Sequence, residues 1–234
     1  LDGLYGAVDP GSSRHEKIAT YGDDFGGADL GDGLGDLIVW QELRRGDEVG
    51  SRVRGWRPDG GGVRTLLDDI PVDTCSVGLS PTHVGGFSNV GCHYGPEGRL
   101  WIARRGEGDT LIDFRLGPVL SAERIAVSVK PLKVWGDYLA VGWGPAQYET
   151  LADRGHMYLV RTTDWSVRKL PSPEGHEGGA ATLTDDYLYT APTVPATRLS
   201  SYIYRYELAR FDEIGEPVEP VAEPATAATS KRRR

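Results

Sequence analysis

Two cysteines, five histidines and several adjacent carboxylates are the residues of this 234-residue chain best suited to chemistry. Cys75 and Cys92 flank a Gly/Ser/Pro-rich stretch holding His83, and His93 follows directly. Two cysteines at the ends of one long loop suit a disulfide in an exported chain, worth about 3 kcal/mol through loop closure. A pair of free thiols is the alternative, as is a zinc site built from Cys75, His83, Cys92 and His93, although the spacing fits no standard zinc pattern. His83, His93 and His156 could also act as acid–base groups. Nucleophile signatures are missing. Gly86-Phe-Ser-Asn-Val-Gly is not a Gly-x-Ser-x-Gly elbow. His15-Glu-Lys-Ile-Ala and His176-Glu-Gly-Gly-Ala lack the second histidine of a zinc-protease helix. Gly31-Asp-Gly-Leu-Gly has the wrong glycine spacing for a dinucleotide loop. The carboxylate pairs Asp23/Asp24, Asp68/Asp69 and Asp185/Asp186 each fall at an expected turn, where local hydrogen bonds explain them.

Composition sets the frame for these groups. Thirty-two Gly and 15 Pro break helices every few residues, while 11 Tyr and 6 Trp cluster with β-branched residues between the breaks. A net charge of −8 argues against non-specific nucleic-acid binding. No run of 18 apolar residues exists, so no membrane span is expected. The chain opens at Leu1 without a signal-peptide pattern, which leads us to expect processing or fragmentation. Residues 216–234 combine closely spaced Pro with the basic end Lys231-Arg-Arg-Arg, and are expected to form a disordered tail.

The dominant signal is internal repetition. Strand–turn–strand segments anchored at Leu4, Val53, Leu111, Met157 and Ile203 recur at steps of 49, 58, 46 and 46. Between them fall Gly35-Asp-Leu-Ile-Val-Trp, Gly98-Arg-Leu-Trp-Ile-Ala, Gly136-Asp-Tyr-Leu-Ala-Val and Asp185-Asp-Tyr-Leu-Tyr-Thr, each a turn pair followed by an apolar run. The unit is four short strands every 50 residues or so. Such a sheet buries both faces only by stacking on its neighbours, as in a β-propeller. A β-sandwich is the alternative, but it needs no self-similarity. The expected fold is therefore all-β: about four four-stranded antiparallel blades over 25–70, 87–130, 132–171 and 180–215, plus an N-terminal half-blade at 3–20. Tyr202, Tyr204 and Tyr206 alternate along one strand and should share a side. The unfilled blade edges invite self-association, and the half-blade suggests missing N-terminal blades.

Val53-Arg-Gly-Trp-Arg-Pro-Asp-Gly-Gly-Gly-Val-Arg-Thr-Leu-Leu and Tyr158-Leu-Val-Arg-Thr-Thr-Asp-Trp-Ser-Val-Arg-Lys-Leu resemble the repeat of bacterial TolB-like propellers. The resemblance implies a propeller over 1–215. Such propellers serve as protein-docking platforms and as the non-catalytic half of some peptidases and lyases. Gly22-Asp-Asp-Phe-Gly-Gly-Ala-Asp-Leu-Gly-Asp-Gly-Leu-Gly-Asp is similar to the calcium loop of integrin-type FG-GAP repeats, though a ligand is missing between Leu30 and Gly31. It implies oxygen ligands Asp24, Asp29, Asp32 and Asp36 for calcium; a solvated turn is the alternative, and no other cofactor is expected.

The functional expectation is a non-catalytic binding or scaffold module, extracellular or periplasmic, that contacts a protein, small-molecule or carbohydrate partner through loops at the propeller ends. The 71–90 stretch is the longest expected loop, with His83, Phe87, Asn89, His93 and His156 as contact residues. The alternative is the propeller portion of a hydrolase or lyase, with its catalytic residues in the channel or in another domain.

Overall fold

The computed structural model describes residues 3–7, 15–20, 24–45, 50–58, 62–72, 74–88, 99–119, 127–145, 156–174, 176–193 and 202–219. Its strands pair antiparallel throughout and form successive blades. β1 (Gly3–Ala7) and β2 (His15–Thr20) make a separate two-stranded sheet. The first full blade runs β3 (Phe25–Leu34), β4 (Leu37–Arg44), β5 (Ser51–Arg57), β6 (Gly62–Ile70). The second runs β7 (Thr74–Leu79), β8 (His83–Ser88), β9 (Arg99–Arg105), β10 (Leu111–Val119). The third runs β11 (Val127–Trp135), β12 (Tyr138–Pro145), β13 (His156–Arg161), β14 (Ser166–Lys169). The fourth has three described strands: β15 (Glu177–Leu183), β16 (Tyr187–Thr193) and β17 (Tyr204–Glu207).

The first strands of the blades lie side by side: β7 packs against β3 and β11, and β15 against β11. Sheets that meet by their first strands and stack face to face are propeller blades. Alternation along each strand supplies the cores. Leu37, Val39 and Val53 of the first blade meet Val84, Trp101 and Ala103 of the second. Leu100 and Ile102, on the opposite face of β9, meet Leu139, Val141 and Val160 of the third. Ala140, Met157 and Leu159 then turn the other way, onto Leu183 and Leu188 of the fourth.

Four expectations need correction. The second blade begins at Thr74 and not at 87, so the expected 71–90 loop contains β7 and β8. Its glycines, which read as loop, are strand positions where neighbours come close. A Cβ on Gly86 would lie 2.2 Å from the ring of Trp101, its cross-strand partner. Gly86→Ala is therefore expected to cost about 2–3 kcal/mol by displacing a fully buried indole. A denaturation midpoint unchanged in that variant would contradict the packing.

The acidic Gly-rich stretch is also a strand. β3 pairs with β4 from Phe25↔Arg44 to Leu34↔Leu37, absorbing extra residues at two irregularities. The strand–turn–strand segment anchored at Ile203 ends without its second strand, because a 3₁₀ turn follows β17. Leu208, Phe211 and Ile214 recur every third residue, the period of a 3₁₀ turn, and Leu208–Glu213 adopts that conformation with these side chains in the third core. Finally, the chain does not leave the fold at residue 216. β18 (Glu216–Val218) adds a fifth strand to the third blade, beside β14, and the remainder of the expected tail, 220–234, lies outside the described residues.

Tyr202, Tyr204 and Tyr206 do share a side, with ring centroids 6.1 and 6.4 Å apart. That side is the one bearing Leu188, directed at the third blade. Tyr187, Tyr189 and Arg205 occupy the opposite face.

Candidate functional site

The antiparallel meander places two sets of turns at opposite ends of the blades. One end gathers the short turns at 35–36, 81–82, 106–110, 136–137, 162–165 and 185–186. At the other end, the connections 46–49, 89–98, 146–155 and 194–201 lie outside the described residues, and with them Asn89, Cys92 and His93. Cys75 sits in β7, and its expected pairing with Cys92 therefore lies outside the described residues.

The short-turn end is stitched from blade to blade by arginine–carboxylate contacts. Arg57 bonds Asp36 of its own blade and Asp109 of the next, the latter at 2.9 Å, and Arg105 bonds Asp109 as well. Burial would raise the Asp109 pKa, but hydrogen bonds from Arg105 and Arg57 outweigh it and hold the carboxyl below its ordinary value. Arg115 reaches from the second blade to the third, bonding the Thr162 carbonyl at 3.1 Å and Asp137 at 3.4 Å. The Trp135 indole N–H of the third blade donates to Asp185 of the fourth at 2.8 Å. Arg161 bonds Asp164 at 2.7 Å and Asp212 at 3.3 Å and lies 4.4 Å over the Phe211 ring. Its hydrogen bond holds the Asp164 carboxyl well below the usual carboxylate range.

A cleft of about 560 Å³ opens at this end, where the second, third and fourth blades meet. Pro81 and Thr82 form its wall on the second blade. Trp135, Asp137, Tyr138, Arg161 and Thr163 line it from the third, and Asp185 from the fourth. The sizes and residue types suit a drug-sized or peptide-sized ligand with an apolar body and a polar or cationic end. Trp135 and Tyr138 offer ring faces. Asp137 and Asp185 offer carboxylate oxygens, while Arg161 is already engaged by Asp164 and Asp212.

The residues singled out from sequence are dispersed. His83 starts β8 at the margin of this cleft, its Nδ1 2.9 Å from Thr82 Oγ1. Burial lowers its pKa, with Arg115 and Arg104 reinforcing the shift against Asp137. A depressed histidine pKa contributes stability that is present above the unfolded value near 6.5 and is lost as the pH falls below it. Tm should therefore drop between pH 7 and 5, and His83→Gln should flatten that profile; an equally steep profile in the variant would contradict the placement.

Phe87 is 1% exposed and packs in the core between the second and third blades, so it is no surface contact. His156 starts β13 at the other end of the third blade, its ring edge-on to Tyr158 at 6.4 Å. Of the suggested calcium ligands, the described Asp24, Asp32 and Asp36 do not converge. Asp24 precedes β3 and Asp36 follows it, a strand of ten residues and about 30 Å apart. Asp32 accepts from the Gly33 and Leu79 backbone and faces Lys133 at 3.6 Å, Asp36 bonds Arg57, and the Asp29 side chain lies outside the described residues. Among the described residues, no group of three His, Cys, Asp or Glu is placed to hold a metal.

The cleft residues themselves were hidden in plain turn chemistry. Gly136-Asp137 and Asp185-Asp186 read as hairpin signals, and only the stacking of blades brings them together. One signal was available: an arginine ends the third strand of three successive blades, at Arg57, Arg105 and Arg161, each paired with an aspartate.

No family model and no curated protein matches the sequence. Solved structures do. A puromycin hydrolase structure aligns with 94% of this chain at 14% identity and a TM-score of 0.41, with 43% of its own chain covered. A prolyl endopeptidase structure aligns with 82% at 9% identity and a TM-score of 0.36, with 36% of its own chain covered. The chain thus spans less than half the length of the solved proteins it matches. No membership in the TolB-like family emerges, and the propeller architecture rests on the chain's own strand pairing and blade stacking.

Proposed function

We propose that this chain is the substrate-contacting, non-catalytic propeller portion of a hydrolase. The observation that carries the contact role is the short-turn cleft, with its aromatic walls and the carboxylates of Asp137 and Asp185. Its described residues include no activated nucleophile. Thr82 is bonded to the histidine that follows it, and no carboxylate is hydrogen bonded to orient that ring. Binding without bond cleavage is what this set of groups can perform. The hydrolase class is the hypothesis added to that role, and it is the class named for the solved structures above.

Titrating the chain with a panel of aminoacyl and peptide arylamides tests both parts. Saturable binding without release of arylamine is expected, with affinity falling about tenfold in Asp185→Ala, the loss of one charge-assisted contact. Arylamine release by this chain alone would contradict the non-catalytic role, and absence of binding would contradict the contact role. The encoding reading frame tests the class. A hydrolase domain joined to the blades supports it; blades joined to no catalytic domain return the chain to a free-standing binding module.

A further inference from the structure

A second cavity of about 550 Å³ adjoins the cleft and shares Tyr138 and Asp185 with it. Asp186, Tyr187, Glu207, Leu208 and Ala209 complete its lining. The two form one groove across the short-turn ends of the third and fourth blades. Its charge is one-sided: the carboxylates of Asp137, Asp185, Asp186 and Glu207 line it, Arg161 is neutralised by Asp164 and Asp212, and the further guanidiniums beside it are those of Arg115, on Asp137, and Arg205, over Tyr187. The Asp185 carboxylate is bonded by a neutral indole, which orients it without cancelling its charge. Rings of Trp135 and Tyr138 stand among these acids, the surroundings that attract organic cations, and the Tyr187 ring already holds the Arg205 guanidinium at 4.9 Å.

The path of the chain bears on what fills this groove. β18 runs antiparallel to β14, with Glu216 opposite Lys169 and Val218 opposite Val167. It therefore travels toward the short-turn end and reaches Glu219 beside the 162–165 turn, which carries the cleft residue Thr163. Lys231-Arg232-Arg233-Arg234 follows twelve residues later. At ~3.3 Å per residue, that length of chain reaches about 40 Å, enough to cross two blades. The last described residue of the segment that ends in these four cations thus lies beside the turn that borders this acidic groove.

We propose that the groove takes a basic peptide segment, and that the chain's own Lys231–Arg234 is its occupant in cis, competing with any ligand that enters the cleft. The inference rests on the reading of the cleft as a binding site and adds its regulation. Tethering holds the basic end at roughly millimolar effective concentration. A peptide added in trans must displace it, and the attraction must fade as salt shortens the screening length.

The test uses the full chain, a variant carrying Lys231→Gln, Arg232→Gln, Arg233→Gln and Arg234→Gln, and a synthetic peptide of residues 224–234 as the probe. The charge-removed variant is expected to bind the peptide about tenfold more tightly than the unaltered chain, a difference that disappears in 0.5 M NaCl. Asp185→Asn with Asp186→Asn, added to the charge-removed variant, should weaken peptide binding at least tenfold. Equal affinities for the unaltered and charge-removed chains, or no binding by the latter, would overturn cis occupancy. Undiminished binding by the double aspartate variant would place the peptide elsewhere and overturn the site. Failure of the arylamide titration alone would leave this result standing, so the two proposals fail separately.

Discussion

Replacing Glu42 by Gln is expected to lower the unfolding free energy by about 3 kcal/mol, and Glu42→Ala by about 3–5 kcal/mol. Glu42 lies in β4 with no exposed surface. Its Oε1 accepts from the Trp40 indole at 3.0 Å and from Arg54 at 3.2 Å, and its Oε2 accepts from Arg52 Nε at 2.8 Å. Both arginines are themselves largely covered, their side chains 15% and 16% exposed, and the Arg52 guanidinium lies 3.9 Å over the Phe25 ring. Such a cluster is tolerable while the one carboxylate offsets part of the arginine charge and accepts hydrogen bonds from both guanidiniums. Removing the one carboxylate leaves two guanidiniums poorly solvated beside aromatic rings, which is costly even when shape is kept. Equilibrium denaturation in urea reads the difference. A loss below about 1 kcal/mol for Glu42→Gln would mean that water neutralises the arginines, and that the face of the first blade away from the second is far more open than described. Arg52→Met and Arg54→Met combined with Glu42→Leu should recover much of the loss, because apolar groups of similar volume need no partner.

A second large effect is expected from Gly215→Ala, about 2–5 kcal/mol. The strap from Leu208 to Val218 fastens the fourth blade to the third. Leu208, Phe211 and Ile214 fill the shared core, and Arg168 donates to the Ile214 carbonyl at 2.6 Å and the Gly215 carbonyl at 3.0 Å. Gly215 makes the turn into β18 at a φ of +51°, and a Cβ there would lie 2.0 Å from the Lys169 carbonyl oxygen. That oxygen belongs to the strand β18 must pair with, so it cannot swing away. Hydrogen exchange should show β18 and the 3₁₀ turn losing protection together while the first two blades keep theirs. Retained protection at Glu216–Val218 in the variant would show that the strap closes by another route.

The blade count and the hairpins were legible because they rest on local chemistry. Apolar runs between two-residue turns, such as Leu37–Trp40 after Gly35-Asp36, need only their neighbours to form. Illegible features depend on what a neighbouring blade supplies. Gly78, Gly85 and Gly86 read as loop, and they are strand positions because Val134, Leu139 and Trp101 press against them. The aspartates of the Phe25–Leu34 stretch read as a calcium loop, and they are spread along a strand because residues on β4 pair with it end to end. Asp137 and Asp185 belong to turns 48 residues apart in sequence and meet in one cleft only through blade stacking. The 3₁₀ strap was written in the spacing of Leu208, Phe211 and Ile214, which carries meaning only once the third blade offers a core to fill.

Ligand-induced quenching of Trp135 fluorescence tests the account most directly. Trp135 is the half-exposed indole of the cleft, tied to Asp185 across a blade boundary, whereas Trp40 and Trp101 are fully buried. A peptide arylamide that binds should quench the protein's emission saturably, the signal should vanish in Trp135→Phe, and Asp185→Asn should shift the midpoint about tenfold upward. Quenching that persists in Trp135→Phe with an unchanged midpoint in Asp185→Asn would place the ligand away from the short-turn cleft and contradict the assignment of the functional site.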